Sequence, residues 1–234
     1  MARLQKLPTL TIIIPTLNEA LHLPLLLADL NQWPYDFKIS IVDGGSKDLT
    51  ISIAQIQGIN VIESHQKNRG YQLKIGASNA CGDWILFIHA DSRLEKSWVN
   101  SLYRIIKNET SKKFAWYFDF KLKNNNLEYR LLEIAVALRS HFLQLPYGDQ
   151  GLLIHKDLYR NSGGFSSMRI MEDIDFITRI TKTTKVKRIG ENIFTDDIKW
   201  SNSNIIKRTI TNAKLRNKWR KGCDIEILYK EYNS

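Results

Sequence analysis

The sequence predicts an α/β fold: a Rossmann-like, mixed sheet flanked by helices. Three observations carry this. From Thr9 to Asp91, short apolar runs alternate with helical patterns, the signature of parallel strands joined by right-handed crossovers. The run Trp84 to Ile88 is apolar at every position, as a central strand buried on both faces must be. Acids stand where predicted strands end, Asp43 after the second and Asp91 after the fourth, and ligands in open α/β sheets sit outside those ends.

Taken in order, Thr9 to Ile14 is a β-rich apolar run stopped by Pro15. Pro15-Thr16-Leu17-Asn18-Glu19 turns into a helix, with Asn18 as its cap and Leu21, Leu25, Leu26 and Leu30 as its apolar face. Phe37 to Val42 is a second strand, closed by Asp43-Gly44-Gly45-Ser46. A helix follows from about Asp48, carrying Ile51, Ile53, Ala54 and Ile56, then a short strand at Asn60 to Ile62. Asn68-Arg69-Gly70 opens a helix through Ala80. Gly82-Asp83 leads into the central run and its polar exit, His89-Ala90-Asp91.

The second half changes character. Phe114, Trp116, Phe118, Phe120 and Leu122 alternate, which predicts a half-buried strand antiparallel to the others. Leu127, Leu131, Ile134, Ala135, Leu138, Phe142 and Leu145 recur at helical spacing, predicting a core-facing stripe. Pro146 to Gly151 is a polar turn, Leu152 to His155 a short strand, and Asn161 to Phe165 a Gly-rich loop. Met171-Glu172-Asp173-Ile174-Asp175 starts a helix with its acids in the first turn, where the helix dipole favours them.

The length of 234 residues suits one domain: a nucleotide-binding half to about residue 110, an acceptor half over 111–200 and a basic helical segment over 201–234. No internal repeat is found. Met1 to Pro8 lacks an apolar core of signal-peptide length, and no run reaches the roughly 18 apolar residues that span a bilayer. The expectation is a cytoplasmic protein, with the inner face of the membrane as an open alternative. The two cysteines, Cys81 and Cys223, have no CxxC partner, so neither zinc nor a disulfide framework is indicated. The net charge of +10 is uneven: Lys199 to Lys221 holds eight basic residues, including Lys207, Arg208, Lys214 and Arg216, and no acid. Such a segment faces phosphates or is simply a solvated helix face.

Six motifs in order resemble one family. Ile-Ile-Ile-Pro-Thr-Leu-Asn-Glu, Val-Asp-Gly-Gly-Ser-Lys-Asp, Asn-Arg-Gly-Tyr-Gln, His-Ala-Asp, Pro-Tyr-Gly-Asp-Gln-Gly and Gly-Gly-Phe with Met-Glu-Asp are similar to those of the family 2 glycosyltransferases of GT-A fold. More narrowly, they resemble a small bacterial subgroup with the His-Ala-Asp and Tyr-Gly-Asp-Gln-Gly signatures. The resemblance runs from about Thr11 to Trp200. It implies an inverting, hexosyltransferase-type enzyme that takes a nucleoside-diphosphate sugar, a UDP-sugar in the favoured case. A divalent cation, Mg2+ or Mn2+, would neutralise the departing diphosphate.

The resemblance also implies roles. Asp91 stands at the last position of the family's Asp-x-Asp motif and becomes the metal ligand. The first position is His89, which leaves one carboxylate where many relatives have two; one carboxylate plus substrate phosphates still suits Mg2+ or Mn2+. His89 otherwise reads as a strand-end histidine bonded to backbone. Asp43 would contact base or ribose, although Asp-Gly-Gly is also an ordinary turn. Pro15, Thr16 and Glu19 would line the nucleoside pocket. Arg69, at a helix start, would reach base or phosphate. Asp83 belongs equally to a pre-strand turn. Asp173 matches the catalytic base that takes the acceptor's proton, and Glu172 would orient it or bind acceptor; both acids could instead merely cap a helix. Asp149 and Gln150 would contact donor sugar or acceptor. Lys199, with Arg208, would contact the diphosphate. Asp196 and Asp197 depart from the family pattern and have no assigned role.

The acceptor is open: a small hydroxyl compound, or a lipid or carotenoid at a membrane, given the Leu127 to Leu145 helix and the basic segment. Nucleic acid is not expected. A nucleotidyltransferase would want a glycine-rich basic loop after the first strand, which Pro15 to Glu19 lacks. A polyanion-binding module without catalysis would leave the acids at strand ends unexplained.

Overall fold

The computed structural model describes residues 7–124, 126–195 and 205–233. An eight-stranded sheet organises them, in the order β3-β2-β1-β4-β7-β6-β8-β5. Its parallel half is β1 (Leu10–Thr16), β2 (Phe37–Asp43), β3 (Val61–Glu63) and β4 (Trp84–Phe87). Both β1 and β4 are buried at every residue, because helices cover both faces of this part of the sheet. Connecting them are α1 (Leu23–Leu30), α2 (Thr50–Ile56) and α3 (Arg69–Ser78).

Two details of this half differ from the sequence expectation. Helix α1 starts at Leu23 and buries Leu23, Leu26, Leu27 and Leu30, while Leu21 and Leu25 face water. The apolar run is continuous enough that periodicity alone could not choose its inner face. Asn18 does not cap α1. It takes a left-handed backbone (φ 57) and accepts the Lys47 N–H at 2.8 Å, pinning the β1 exit to the β2 exit. Asn68 does cap α3, accepting the Tyr71 N–H at 3.0 Å.

The other half mixes directions. Strand β5 (Arg93–Leu94) and helix α4 (Trp98–Lys107) lead to β6 (Ala115–Leu122), and helix α5 (Leu127–Phe142) to β7 (Leu152–His155). Helices α6 (Lys156–Asn161) and α7 (Glu172–Ile180) then precede β8 (Val186–Thr195). The strands antiparallel to the parallel set are β7, against β4, and β5, against β8. Strand β6 is antiparallel to β7 but parallel to β8, and so runs with β1 to β4. Nor is β6 half-buried. Ala115 and Tyr117 enter the core beneath α3 and α7, and Phe118 enters the core with α1 and α4. The β6–β8 register slips between Tyr117 and Asp119, which breaks the simple alternation.

Helix α5 overturns a second expectation. Its inner face is Tyr129, Leu132, Val136 and Ser140, packed on Phe120 and Leu122 of β6. The predicted core stripe, Leu127, Leu131, Ile134, Leu138 and Phe142, is 51–75% exposed; Ala135 is exposed as well, and only Leu145 is buried. The sequence offered two apolar faces, and the shorter one won. It carries Glu133, whose carboxylate accepts Leu122 N–H, Lys121 and Arg130 and ties the helix to β6.

Helices α8 (Ile205–Arg220) and α9 (Ile225–Asn233) follow. Leu215 and Leu228 bury against Ile170, and Arg169 pairs with Glu226 at 3.1 Å. No helix among the described residues is long and apolar enough to cross a membrane.

Candidate active site

A cleft of about 770 Å³ opens at the carboxyl ends of β1 and β4, between α5, α7, α8 and α9. Its floor is built at the strand exits. Thr16 hydroxyl donates to Asp43 Oδ1 at 2.8 Å, and Asp43 Oδ2 accepts the Gly45 and Ser46 N–H groups at 2.8 and 2.7 Å. Ser46 Oγ adds a bond to Oδ1 at 2.5 Å. The Gln72 amide reaches from α3 to the carbonyls of Thr16 and Val42 at 2.9 and 2.7 Å, adding to the Gly44 N–H that Thr16 O accepts at 2.9 Å and tying two strand ends together. Gly76 of the same helix sits against Ile13 and Val42, where a methyl group would collide.

The opposite wall carries the acids. Met171, just before α7, holds a left-handed backbone (φ 64) that is costly for a residue with a side chain. This places Glu172 and Asp173 at the start of α7. Asp173 lines the cleft, and its Oδ2 accepts the Gly148 N–H at 2.8 Å. A methyl group at Gly148 would come within 2.9 Å of His89 Nε2, so the imidazole would have to shift. The Arg69 guanidinium donates to Glu172 Oε1, while Glu172 Oε2 is buried without a hydrogen-bond partner. Burial pushes the Glu172 carboxyl up, with Asp173 adding to it and Arg69 opposing. Burial also works against the Arg69 charge, but Glu172 and Asp173 outweigh it and raise that group's pKa. We take Arg69 as charged, since a guanidinium between two acids has every reason to keep its proton.

Asp149 is the other unsatisfied acid. Part of the residue is open to the cleft, yet Oδ1 is buried with no hydrogen-bond partner. Burial pushes its carboxyl up to about 6, with Arg139 opposing and Asp173 and Asp91 reinforcing. Arg139 lies flat on the Tyr147 ring, 3.4 Å from its centroid, and Arg216 of α8 donates to the Tyr147 hydroxyl. Gln150 is turned inward: its Oε1 accepts from Ser140 (2.8 Å) and Arg139 (3.1 Å), and its amide donates to the Phe118 carbonyl (3.2 Å).

Of the sequence-predicted residues, the cleft brings together Pro15, Thr16, Glu19, Arg69, Asp91, Asp149 and Asp173, with His89 beside them. Asp43 lies just behind, fully buried beneath Thr16, with both oxygens engaged. Glu172 and Gln150 sit behind the lining and hold it. Asp83 stays at the far end of β4, bonded to Thr9 and Lys156. Lys199, Asp196, Asp197 and the Arg208 side chain lie outside the described residues. Sequence reasoning missed Gln72, Arg139, Tyr147 and Arg216. Gln72 and Tyr147 sat inside quoted motifs and Arg216 inside the basic segment from Lys199 to Lys221; Arg139 carried no local signal.

The residues present fit a divalent cation that arrives with a diphosphate. No three His, Cys, Asp or Glu side chains gather into a ready-made cage among the described residues. Asp91 nonetheless lines the cleft, and the orphaned Asp149 oxygen lies close enough for Asp91 to act on its charge. One or two carboxylates, completed by phosphate and water, are what Mg2+ or Mn2+ takes.

Comparison with known proteins agrees with this geometry. The family model for glycosyl transferase family 2 matches residues 11–171. A PGL/p-HBAD biosynthesis glycosyltransferase of Mycobacterium bovis is 39% identical over 94 residues, covering 37% of each chain. An uncharacterized glycosyltransferase of Haemophilus influenzae is 24% identical over 73% of this chain and 61% of its own. A 4,4'-diaponeurosporenoate glycosyltransferase of Staphylococcus haemolyticus is 32% identical over 37% of this chain and 25% of its own. The chain thus matches less than two thirds of the length of each of these curated relatives. Among solved structures, S. aureus TarS in complex with UDP superposes with a TM-score of 0.64 at 15% identity, over 80% of this chain and 60% of that one. A Pyrobaculum calidifontis mannosyltransferase in complex with GDP-Man and Mn2+ gives 0.61 at 17%, over 79% and 56%. The fold is therefore GT-A, and the chain belongs to glycosyl transferase family 2.

Proposed function

We propose that this protein transfers a hexose, with inversion, from a nucleoside-diphosphate sugar to a hydroxyl acceptor, with Asp173 as the base. The observation that carries the reading is the meeting of Asp91, Asp149 and Asp173 with Arg69, Arg139, Arg169 and Arg216 in one cleft at the β1 and β4 exits. A nucleotidyltransferase shares the sheet but has no need of an acid held opposite the phosphates.

In a single displacement, the acceptor oxygen attacks the anomeric carbon from the face opposite the diphosphate. The C–O bond to the diphosphate breaks, and the acceptor's proton passes to Asp173. Asp173 is held for this by the Gly148 N–H, which fixes Oδ2 without quenching the carboxylate. Arg69, held by Glu172, brings positive charge to the cleft where the leaving diphosphate gains negative charge. Asp149, part of which meets the cleft, is suited to accept from a sugar hydroxyl. Asp43 shapes the turn on which the nucleoside rests, and Thr16 and Pro15 face it. A divalent cation held by Asp91 would supply charge neutralisation for the diphosphate.

UDP and GDP-mannose in two structural neighbours support a nucleoside-diphosphate donor; we favour uridine. The His-Ala-Asp and Tyr-Gly-Asp-Gln-Gly motifs define the subgroup to which we assign the chain. We propose that the 234 residues act as one domain, the first half gripping donor and the second acceptor.

The test is a titration of UDP, GDP and their sugars, with and without Mn2+, followed by calorimetry. Metal-dependent binding of one nucleoside diphosphate, lost in Asp91→Asn, supports the reading. Binding to none of them ends it.

A further inference from the structure

Helix α5 is attached by one face only. Tyr129, Leu132 and Val136 pack on β6 in a cluster separate from the two main cores. On the far side, Leu127, Leu131, Ile134, Leu138 and Phe142 follow helical spacing and form one bare stripe. Leu143 continues it, both exposed and lining the cleft. Between Leu131 and Leu138 the only charged residue is Glu133, which is turned inward and paired. A bare apolar ridge of this size is unusual on a protein that is surrounded by water alone.

Two further observations say what covers it. Helix α8 flanks the same cleft mouth: Thr209, Asn212, Ala213 and Arg216 line it, and Arg216 reaches Tyr147, the residue Arg139 of α5 lies on. Among its described side chains Lys214, Lys218 and Arg220 are basic besides Arg216 and none is acidic; Lys218 pairs with Glu231 of α9, and Ile210 is exposed beside Thr209 of the mouth. The described surface of α8 next to the ridge is therefore positive. The chain's net charge of +10 opposes pairing two copies through this face. An apolar ridge beside a cationic helix matches a bilayer with anionic headgroups.

We propose that α5 and α8 dock the protein on an anionic lipid surface, with the cleft mouth turned toward the bilayer. This deepens the glycosyl-transfer reading and rests on it: the acceptor is an amphiphile whose hydroxyl enters from the lipid side. Its apolar part lies along Phe120, Leu132, Ala135, Val136 and Leu143, the wall that leads from the ridge toward Asp173.

The experiment is flotation of the full chain with phosphatidylcholine vesicles, with and without phosphatidylglycerol, at low and high salt. Leu131→Glu/Leu138→Glu is run beside the wild type; neither residue lines the cleft. Expected is wild-type binding to the phosphatidylglycerol vesicles at low salt, weakened by high salt, and about tenfold weaker binding by the double variant. The variant's melting temperature and nucleotide titration should match the wild type. Wild type that ignores anionic vesicles overturns the proposal. So does a double variant that floats equally well, or a wild-type dimer in light scattering that the double variant splits. If flotation behaves as expected but no nucleoside diphosphate binds, the docking surface stands and the transfer reading falls.

Discussion

The two walls of the cleft are built on opposite terms. At the β1 and β2 exits every polar group described is answered. Asp43 accepts four hydrogen bonds, Gln72 closes two strand ends, and Asn18 and Asp48 stitch the neighbouring loops together. Across the cleft, Glu172 and Asp149 each bury an oxygen without a partner, and Met171 carries a left-handed backbone. Burying an unpaired acceptor costs about 1–3 kcal/mol, so the second wall is held against its own preference. A finished wall positions; the other keeps its acids under strain beside the cleft.

The sharpest way to break this contrast is Asp173→Asn. On the proposed chemistry, transfer falls by about 10²–10⁴-fold, while nucleotide affinity measured by calorimetry stays within about twofold. Equal losses in both would move Asp173 from chemistry to binding. Next is Gln72→Ala, which takes the side-chain donor away from the Thr16 and Val42 carbonyls, although Thr16 O keeps the Gly44 N–H at 2.9 Å. It should lower stability by about 1–2 kcal/mol in urea melts, with nucleotide affinity falling alongside. Gly70→Ala tests the seam between the walls. A methyl group there would overlap the carbonyls of Ser166 and Met168, and about 1–3 kcal/mol of stability should be lost.

Asp149→Asn works in the other direction. The carboxyl sits near 6 in the folded chain against 3.8 for its ordinary value. Its protonated form therefore favours folding below about pH 4, and that contribution fades as pH rises through 6. The variant should melt higher than wild type at pH 7.5, with the gain disappearing at pH 4. A gain that is the same at both values would show that the charge is not the cause. The smallest effect expected is from Asn68→Ala, about 1 kcal/mol for a lost helix cap.

The parallel half was readable because its rules are local. Continuous apolar runs, a capping Asn68 and acids after strands need only their neighbours to be understood. The second half depends on distant partners. Whether α5 buries Leu131 or Leu132 is decided by what β6 offers and by Glu133 finding Lys121, neither of which leaves a trace in the helix's own period. The short β5 and the long β8 went unread for a similar reason: β5 has two residues, and β8 alternates across Gly190 with its register broken. Within the site, the acids that line the cleft came from motifs. What sequence could not separate was lining from support. Gln150 and Asp149 are adjacent, yet one faces inward to α5 and β6 and the other meets the cleft.

That Gln150 contact has a practical reach for anyone redesigning the enzyme. Because a single amide fastens the segment from Tyr147 to Gly151 to both α5 and β6, the segment cannot be lengthened or swapped from a cousin without unmooring the helix beside it. Libraries aimed at new acceptors would do better to leave those five positions alone and vary Ala135 and Leu143, which line the cleft and are exposed.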